Sequence, residues 1–277
     1  MAKGIGLIGN FKGKVGNTVG YKLAASNNGQ TQGIRVYQPI VKNPKSAGQA
    51  EQRAKLLAVN ATYRALKMVI DRGNEGLPYG NKSRLAWLKT ALKAEGMPWI
   101  EKGMNVTAPV LTTLTKGTLP GIGYTPDEDY LRINCAGVTA DSTVGTVGAI
   151  STLLKAAYSF LQDGDQITIL ACGGWDGALQ SEVFSFVIDP KSDTAFTKLT
   201  AGAGFLQYEP DFSTPGYAVI VSREGANGEH LRSTAVLQMA ATYTAGIPYN
   251  ADSKAAAIAS YRASAASNSD WAEESIQ

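Results

Sequence analysis

Two cysteines and one histidine are all that this 277-residue chain offers of the side chains most used in metal binding and nucleophilic catalysis. Two Cys cannot build a disulfide scaffold or a Cys-type zinc centre. One His leaves a His-based metal site or a serine triad without its parts. No stretch of ~18 consecutive apolar residues occurs, so no membrane-spanning helix and no membrane insertion are expected. The opening MAKGIGLIGN pairs one Lys with a Gly-broken apolar run, and no secretory signal is expected there. Charged residues are scarce at 18%. Hydrophobic residues at 44% are enough for a core, which argues against global disorder. Thirty glycines call for many tight turns. No cofactor and no enzymatic activity are expected from this inventory.

The net charge of +3 conceals a split. Residues 1–96 carry sixteen Lys and Arg against four acids, a local net of +12, which leaves −9 for the remainder. Such polarity fits a basic segment that meets a polyanion beside a near-neutral to acidic body. The alternative is that the two parts attract each other.

The element pattern predicts an α+β chain. Glycines punctuate residues 4–43, and β-favouring pieces lie between them. Asn27-Asn28-Gly29 is a hairpin turn signal, so strands near 14–24 and 32–41 should pair across it. A two-stranded ribbon is only marginally stable alone and needs a partner surface. The period then changes. Asn43-Pro44-Lys45-Ser46 reads as a helix start with Ser46 as cap. Leu56, Val59, Tyr63, Leu66 and Ile70 mark the apolar face of a helix over 47–72, ended by Gly73. On a continuous helix Arg53, Arg64 and Lys67 fall within an arc of roughly 60°, with Asp71 in the same arc. A second helix is predicted over 82–95, with Leu85, Leu88 and Leu92 inward and Lys82, Lys89 and Lys93 within roughly 40° of one another. Each basic face could equally be a solvated surface that keeps a helical hairpin in solution.

Beyond residue 105 the composition turns strand-like. Val110–Thr115, Tyr130–Cys135, Gln166–Cys172, Val183–Ile188, Tyr217–Ser222 and Leu231–Met239 are candidate strands. Asp163-Gly164-Asp165 and the run from Glu224 to Gly228 read as turns, the second as a hairpin. A helix over 149–161 is inserted among the strands. Six strands at this spacing predict an antiparallel β-sandwich-like domain, Ig-like or Greek-key. An Ala-rich helix follows from Asp252, with Trp271 as a docking residue and the last six residues loose. The domains expected are therefore 1–100, a basic ribbon with two helices; 105–245, the β-rich domain; and 246–277, a helix and tail.

Several motifs point to ordinary structure. Gly4-Ile5-Gly6-Leu7-Ile8-Gly9 matches G-x-G-x-x-G literally, but no strand precedes it and no helix follows, so no dinucleotide site is expected. The acids at 127–129 and 163–165 are turn residues, since a calcium site needs six or more oxygens. His230 reads as an exposed loop residue. Cys135 and Cys172 read as buried thiols rather than a bridge.

Aromatics interleave with the N-terminal charges: Phe11, Tyr21, Tyr37, Tyr63, Tyr79, Trp87 and Trp99. Such rings can stack bases while cations track phosphates. Tyr63 and Trp87 suit packing; Phe11, Tyr21 and Tyr37 suit contact. The expected nucleic-acid-binding set is Lys12, Lys14, Tyr21, Lys22, Arg35, Tyr37, Lys42, Lys45, Arg53, Arg64, Lys67, Lys82, Lys89 and Lys93. The expected partner is nucleic acid, DNA in particular, bound with low sequence specificity, while the β domain serves assembly. The other reading is a structural protein of a particle, whose ribbon pairs with neighbouring subunits in a homo-oligomer or with capsid proteins.

The stretch from Gly13 to Lys22 (GKVGNTVGYK), then Arg35-Val36-Tyr37 and Asn43-Pro44-Lys45-Ser46 with Gln49, Gln52 and Arg53, resembles the opening of uncharacterised proteins of small single-stranded DNA bacteriophages of the microvirus type. It is also similar to a domain of unknown function from Bacteroidota and their phages. Ser222-Arg223, Gly228 and Leu231-Arg232-Ser233-Thr234 resemble the closing hairpin of the same group. The resemblance covers the chain up to about residue 70 and, loosely, that hairpin; the middle departs from it. It implies a viral origin, a non-enzymatic role, and association with the virion or the genome in the cytoplasm of a bacterial host. No catalytic residue carries over from it.

Overall fold

The computed structural model describes residues 13–15, 18–22, 32–36, 46–210, 213–226, 228–241 and 249–266. The fold is mixed α+β with antiparallel sheets. It divides into two units, Met1–Pro44 and Lys45–Gln277.

The first unit holds a meander: β1 (Gly13–Val15), β2 (Thr18–Lys22) and β3 (Gln32–Val36), in the order β1-β2-β3. β2 pairs with β3 antiparallel from Thr18↔Val36 to Lys22↔Gln32, and the expected turn at Asn27-Asn28-Gly29 lies outside the described residues. The first expected strand is split. Val15 pairs with Thr18, so β1 and β2 are separate antiparallel strands, and the described sheet has three strands. Residues Gly4 to Gly9 lie outside the described residues.

The second unit opens with α1 (Ala47–Ala65), capped by the Ser46 hydroxyl, which accepts from the Gln49 N–H at 3.3 Å. The helix expected to run to residue 72 breaks at Leu66 (φ −109°, ψ 19°) and resumes as α2 (Lys67–Ile70). The Ser181 hydroxyl takes the Ala65 carbonyl at the break, at 2.6 Å. α3 covers Asn81–Ala91. Val59, Leu66 and Ile70 are buried as expected, but two of the expected leucines are not. Leu56 is 41% exposed and Leu85 47% exposed. The faces that go inward carry smaller residues at spacing four, Ala50, Ala54, Ala58 and Thr62 on α1 and Ser83 with Ala91 around Trp87 on α3. Hydropathy alone favours the leucines, whereas close approach to a neighbouring backbone selects small side chains.

The strands that follow are β4 (Thr113–Thr115), β5 (Tyr124–Pro126) and β6 (Leu131–Asn134). Then come α4 (Val147–Ala157), β7 (Gln166–Trp175), β8 (Ala178–Val187), β9 (Thr200–Gly202) and β10 (Phe205–Tyr208). β11 (Ser213–Glu224), β12 (His230–Arg232), β13 (Ala235–Val236) and α5 (Ala251–Ala266) complete the unit. α4 is the inserted helix and α5 the Ala-rich one; Trp271 lies outside the described residues.

The long sheet runs β12-β11-β7-β8 and a second runs β5-β6-β10-β9. β7 and β8 join through Asp176-Gly177, both at positive φ (49° and 71°), the geometry that two-residue hairpins require. β7 is buried almost continuously because both faces of the long sheet are covered. Ile167, Ile169, Ala171, Tyr217, Val219 and Val221 face one core, shared with Leu131, Ile133, Leu206 and Tyr208 of the second sheet and Ile150 and Leu154 of α4. Leu170, Cys172 and Ala218 face the other, shared with Ala58, Val59, Leu66, Ile70 and Trp87. The helices thus share a core with β7 and β11, which is why the division falls at Pro44/Lys45 rather than near residue 100.

The segment expected as one strand over 231–239 changes partners midway. β12 pairs with β11, while β13 leaves it and pairs with β4. Ser233 holds the switch: its N–H donates to the Val221 carbonyl and its hydroxyl accepts from the Val221 N–H, both at 2.9 Å. β5, β9 and β10 had no clear sequence signal. Each has three or four residues, and β5 carries Pro126, tolerable because β5 is an edge.

Candidate nucleic-acid interface

The expected binding set falls into three groups. Lys12, Tyr37, Lys42 and Lys45 lie outside the described residues. Lys14 is on β1, Tyr21 and Lys22 on β2 and Arg35 on β3. Arg53, Arg64, Lys67, Lys82, Lys89 and Lys93 are all exposed on the second unit.

The break at Leu66 changes the helical geometry. Arg53 and Arg64 stay on α1, eleven residues and so roughly 20° apart. Lys67 belongs to α2, beyond the break, so the spacing along one helix no longer relates it to Arg53 and Arg64. Lys82 and Lys89 share a face of α3, and Lys93 sits in the turn beyond its end. Lys89 and Lys93 border a shallow groove of about 540 Å³, walled by Leu111, Thr112 and Val236, with Glu95 at the same rim.

The ion pairs bear on whether the acidic remainder neutralises this surface. Among the described residues, Asp127 pairs with Arg132, Asp163 with Lys155, Glu182 with Lys198 and Asp165 with Arg223. Those acids are all taken by cations from the same part of the chain. The pair that crosses has the opposite polarity: Glu51 meets Lys254 at 3.2 Å as well as Lys55 at 2.9 Å. The hydrogen bonds from Lys55 and Lys254 hold the Glu51 carboxyl below its ordinary value. Both ammonium groups also face Trp99, at 5.8 and 4.9 Å from the ring centroid, so Lys55 is engaged locally. Arg53, Arg64, Lys67, Lys82, Lys89 and Lys93 enter no ion pair among the described residues.

Other cations are occupied by aromatic rings. Arg84 sits over Tyr63 at 4.5 Å, and the Tyr63 hydroxyl donates to Asp71 at 2.9 Å. Burial first, and then that bond, push the Tyr63 phenol up. Tyr63 also meets Trp87, which is 2% exposed, so both pack as expected.

A second constellation escaped the linear reading. Arg72 lies 5.6 Å from the Tyr79 ring centroid, and the His230 ring is 5.6 Å from it on the other side of the sequence. His230 is exposed as expected, but on β12 rather than in a loop. The carboxylate of Glu75 ties the region together. It accepts from the Thr118 N–H and hydroxyl, each at 2.9 Å, and from the Arg232 N–H at 3.1 Å. An aromatic amid basic residues was the visible signal for Tyr79; nothing local marks its proximity to His230.

Cys135 and Cys172 are free, buried thiols on different elements, one after β6 and one in β7. Among the described residues no cluster of three His, Cys, Asp or Glu is placed to hold a metal ion, and no helix is long and apolar enough to cross a membrane. Fold and surface together define an α+β protein with a small separate β unit and an unpaired cationic surface on its larger unit. No known protein family, curated protein or solved structure matches the chain.

Proposed function

We propose that this is a phage-encoded, non-enzymatic nucleic-acid-binding protein. In this reading the ribbon and the α1–α3 surface contact phosphates, and the two sheets form a sandwich-like module, Ig-like or Greek-key, used in assembly. The protein acts in the host cytoplasm or in association with the virion. The observation that supports it most is the set of six exposed Lys and Arg without ion pairs among the described residues, while Asp127, Asp163, Asp165 and Glu182 pair with cations of their own part of the chain. Contacts of this kind go to phosphates, so binding is weakly sequence-specific and falls with salt. Six phosphates neutralised give a log–log salt slope of about −5 on duplex DNA, less steep on a single strand. Fluorescence anisotropy across a salt series reads that slope. A flat, weak signal at low salt removes the proposal.

A second reading, a virion structural protein, draws on one specific observation. The described residues of the Met1–Pro44 unit form a three-stranded sheet in which β1 and β3 flank β2. A sheet edge can accept a strand from a neighbouring subunit. Native mass and size-exclusion measurements that find an oligomer dependent on residues 1–43, without DNA binding, favour this reading over the first.

A further inference from the structure

Residues 71–80 link α2 to α3, and their backbone is tied down at several points. The Gly80 N–H donates to the Asp71 carbonyl at 2.8 Å, the Glu75 N–H to the Lys116 carbonyl and the Lys116 N–H to the Gly73 carbonyl, each at 2.9 Å. The Asn74 amide reaches the Ser83 carbonyl at 3.2 Å and hydroxyl at 3.1 Å. This fixed loop carries apolar surface into solvent: Tyr79 is 49% exposed and Leu77 38% exposed.

The surroundings of Tyr79 are cationic. Arg72 holds its guanidinium 5.6 Å from the ring centroid, and the His230 ring flanks it at 5.6 Å and 37°. Arg232 lies on the same side of β12 as His230, two residues on. Lys116, exposed, is bridged to Asn74 of the loop. Of the two acids within the loop, Asp71 accepts from the Tyr63 hydroxyl at 2.9 Å, and Glu75 spends its carboxylate on three donors from Thr118 and Arg232. Glu229 is exposed next to His230, on the far end of the hairpin turn.

A half-exposed ring on a rigid loop loses little freedom when a planar group lies on it. Flanking cations place a phosphate chain beside such a group. That combination selects an unpaired nucleobase, because a base inside a duplex has no free face.

We propose that Tyr79 is a base-stacking platform for single-stranded nucleic acid, with Arg72 and Arg232 beside it contacting the strand's phosphates. This rests on the reading of the chain as a nucleic-acid-binding protein. It adds a preference for single strands, and it brings in three residues outside the cationic faces of α1 and α3.

The test uses the full chain with a labelled oligothymidylate and a labelled duplex of the same length, by anisotropy at one low salt concentration. Tyr79→Ala and Tyr79→Leu are each expected to weaken single-strand binding about tenfold and to leave duplex binding unchanged. Tyr79→Phe, which keeps the ring, is expected to bind like the parent. Unchanged single-strand affinity in both the Ala and Leu variants overturns the platform while leaving phosphate binding standing. Equal losses on strand and duplex overturn it too. A parent protein that binds neither probe overturns both readings together.

Discussion

Asp165 and Arg223 form a two-point ion pair at one end of the two central strands of the long sheet, Nε to Oδ1 at 2.6 Å and Nη2 to Oδ2 at 2.7 Å. Asp165 is 1% exposed. Its Oδ2 also accepts from the Gln162 N–H at 2.9 Å, and Arg223 Nη2 donates onward to the Phe160 carbonyl at 2.8 Å. The pair ties the turn before β7 to the end of β11.

Arg223→Leu leaves the Asp165 carboxylate buried without its counter-charge. The expected cost is about 3 kcal/mol of unfolding free energy. Replacing both residues by Leu should recover much of that loss, because no charge then remains to be desolvated. Urea unfolding of parent, single and double variants measures this. A single variant as stable as the parent contradicts it.

Glu75 links stability to pH. Burial pulls its carboxyl up, but the hydrogen bonds from Thr118 and Arg232 more than offset this and leave it below the ordinary value. A carboxyl lowered on folding stabilises the protein above its unfolded pKa, about 4.3 for Glu. That contribution is lost as pH falls through the lower, folded value. The urea midpoint of the parent should therefore drop more steeply on acidification below about pH 4.3 than that of Glu75→Gln. Glu51 and Glu182, also lowered by their lysine partners, keep part of the slope in both proteins. Parallel curves would show that Glu75 contributes nothing.

The two thiols offer a simple check on the core. Burial pushes both Cys135 and Cys172 above the ordinary thiol value, and Cys172 lies in the doubly covered strand β7. A thiolate is the reacting species, so both should resist a disulfide reagent in the native state at neutral pH. Full denaturation should release two reactive thiols. Rapid labelling of one thiol in the native protein would mean that its core opens locally.

Much of the architecture was legible in local patterns. The Ser46 cap, the turn at Gly164, the hairpin after Glu224 and the helices at 147–157 and 251–266 all have signals within a few residues of where they act. The charge split is a property of composition and needs no fold to be seen. The strand at 166–172 was also expected from its composition, though not that two different cores would cover it.

What the chain determined by itself is therefore its periods, its turns, its scarcity of Cys and His and the sign of its ends. Those depend on residues adjacent in sequence, where backbone preferences and side-chain spacing act directly. Tertiary structure alone decided that Ala54 and Ala58 turn inward while Leu56 stays half out, that the strand after β12 changes partners at Ser233, and that Tyr79 meets His230. Each depends on what surface arrives from a distant segment. Hydropathy states how much a side chain gains by burial but not which neighbour supplies it, and that is settled by close packing between elements far apart in the chain.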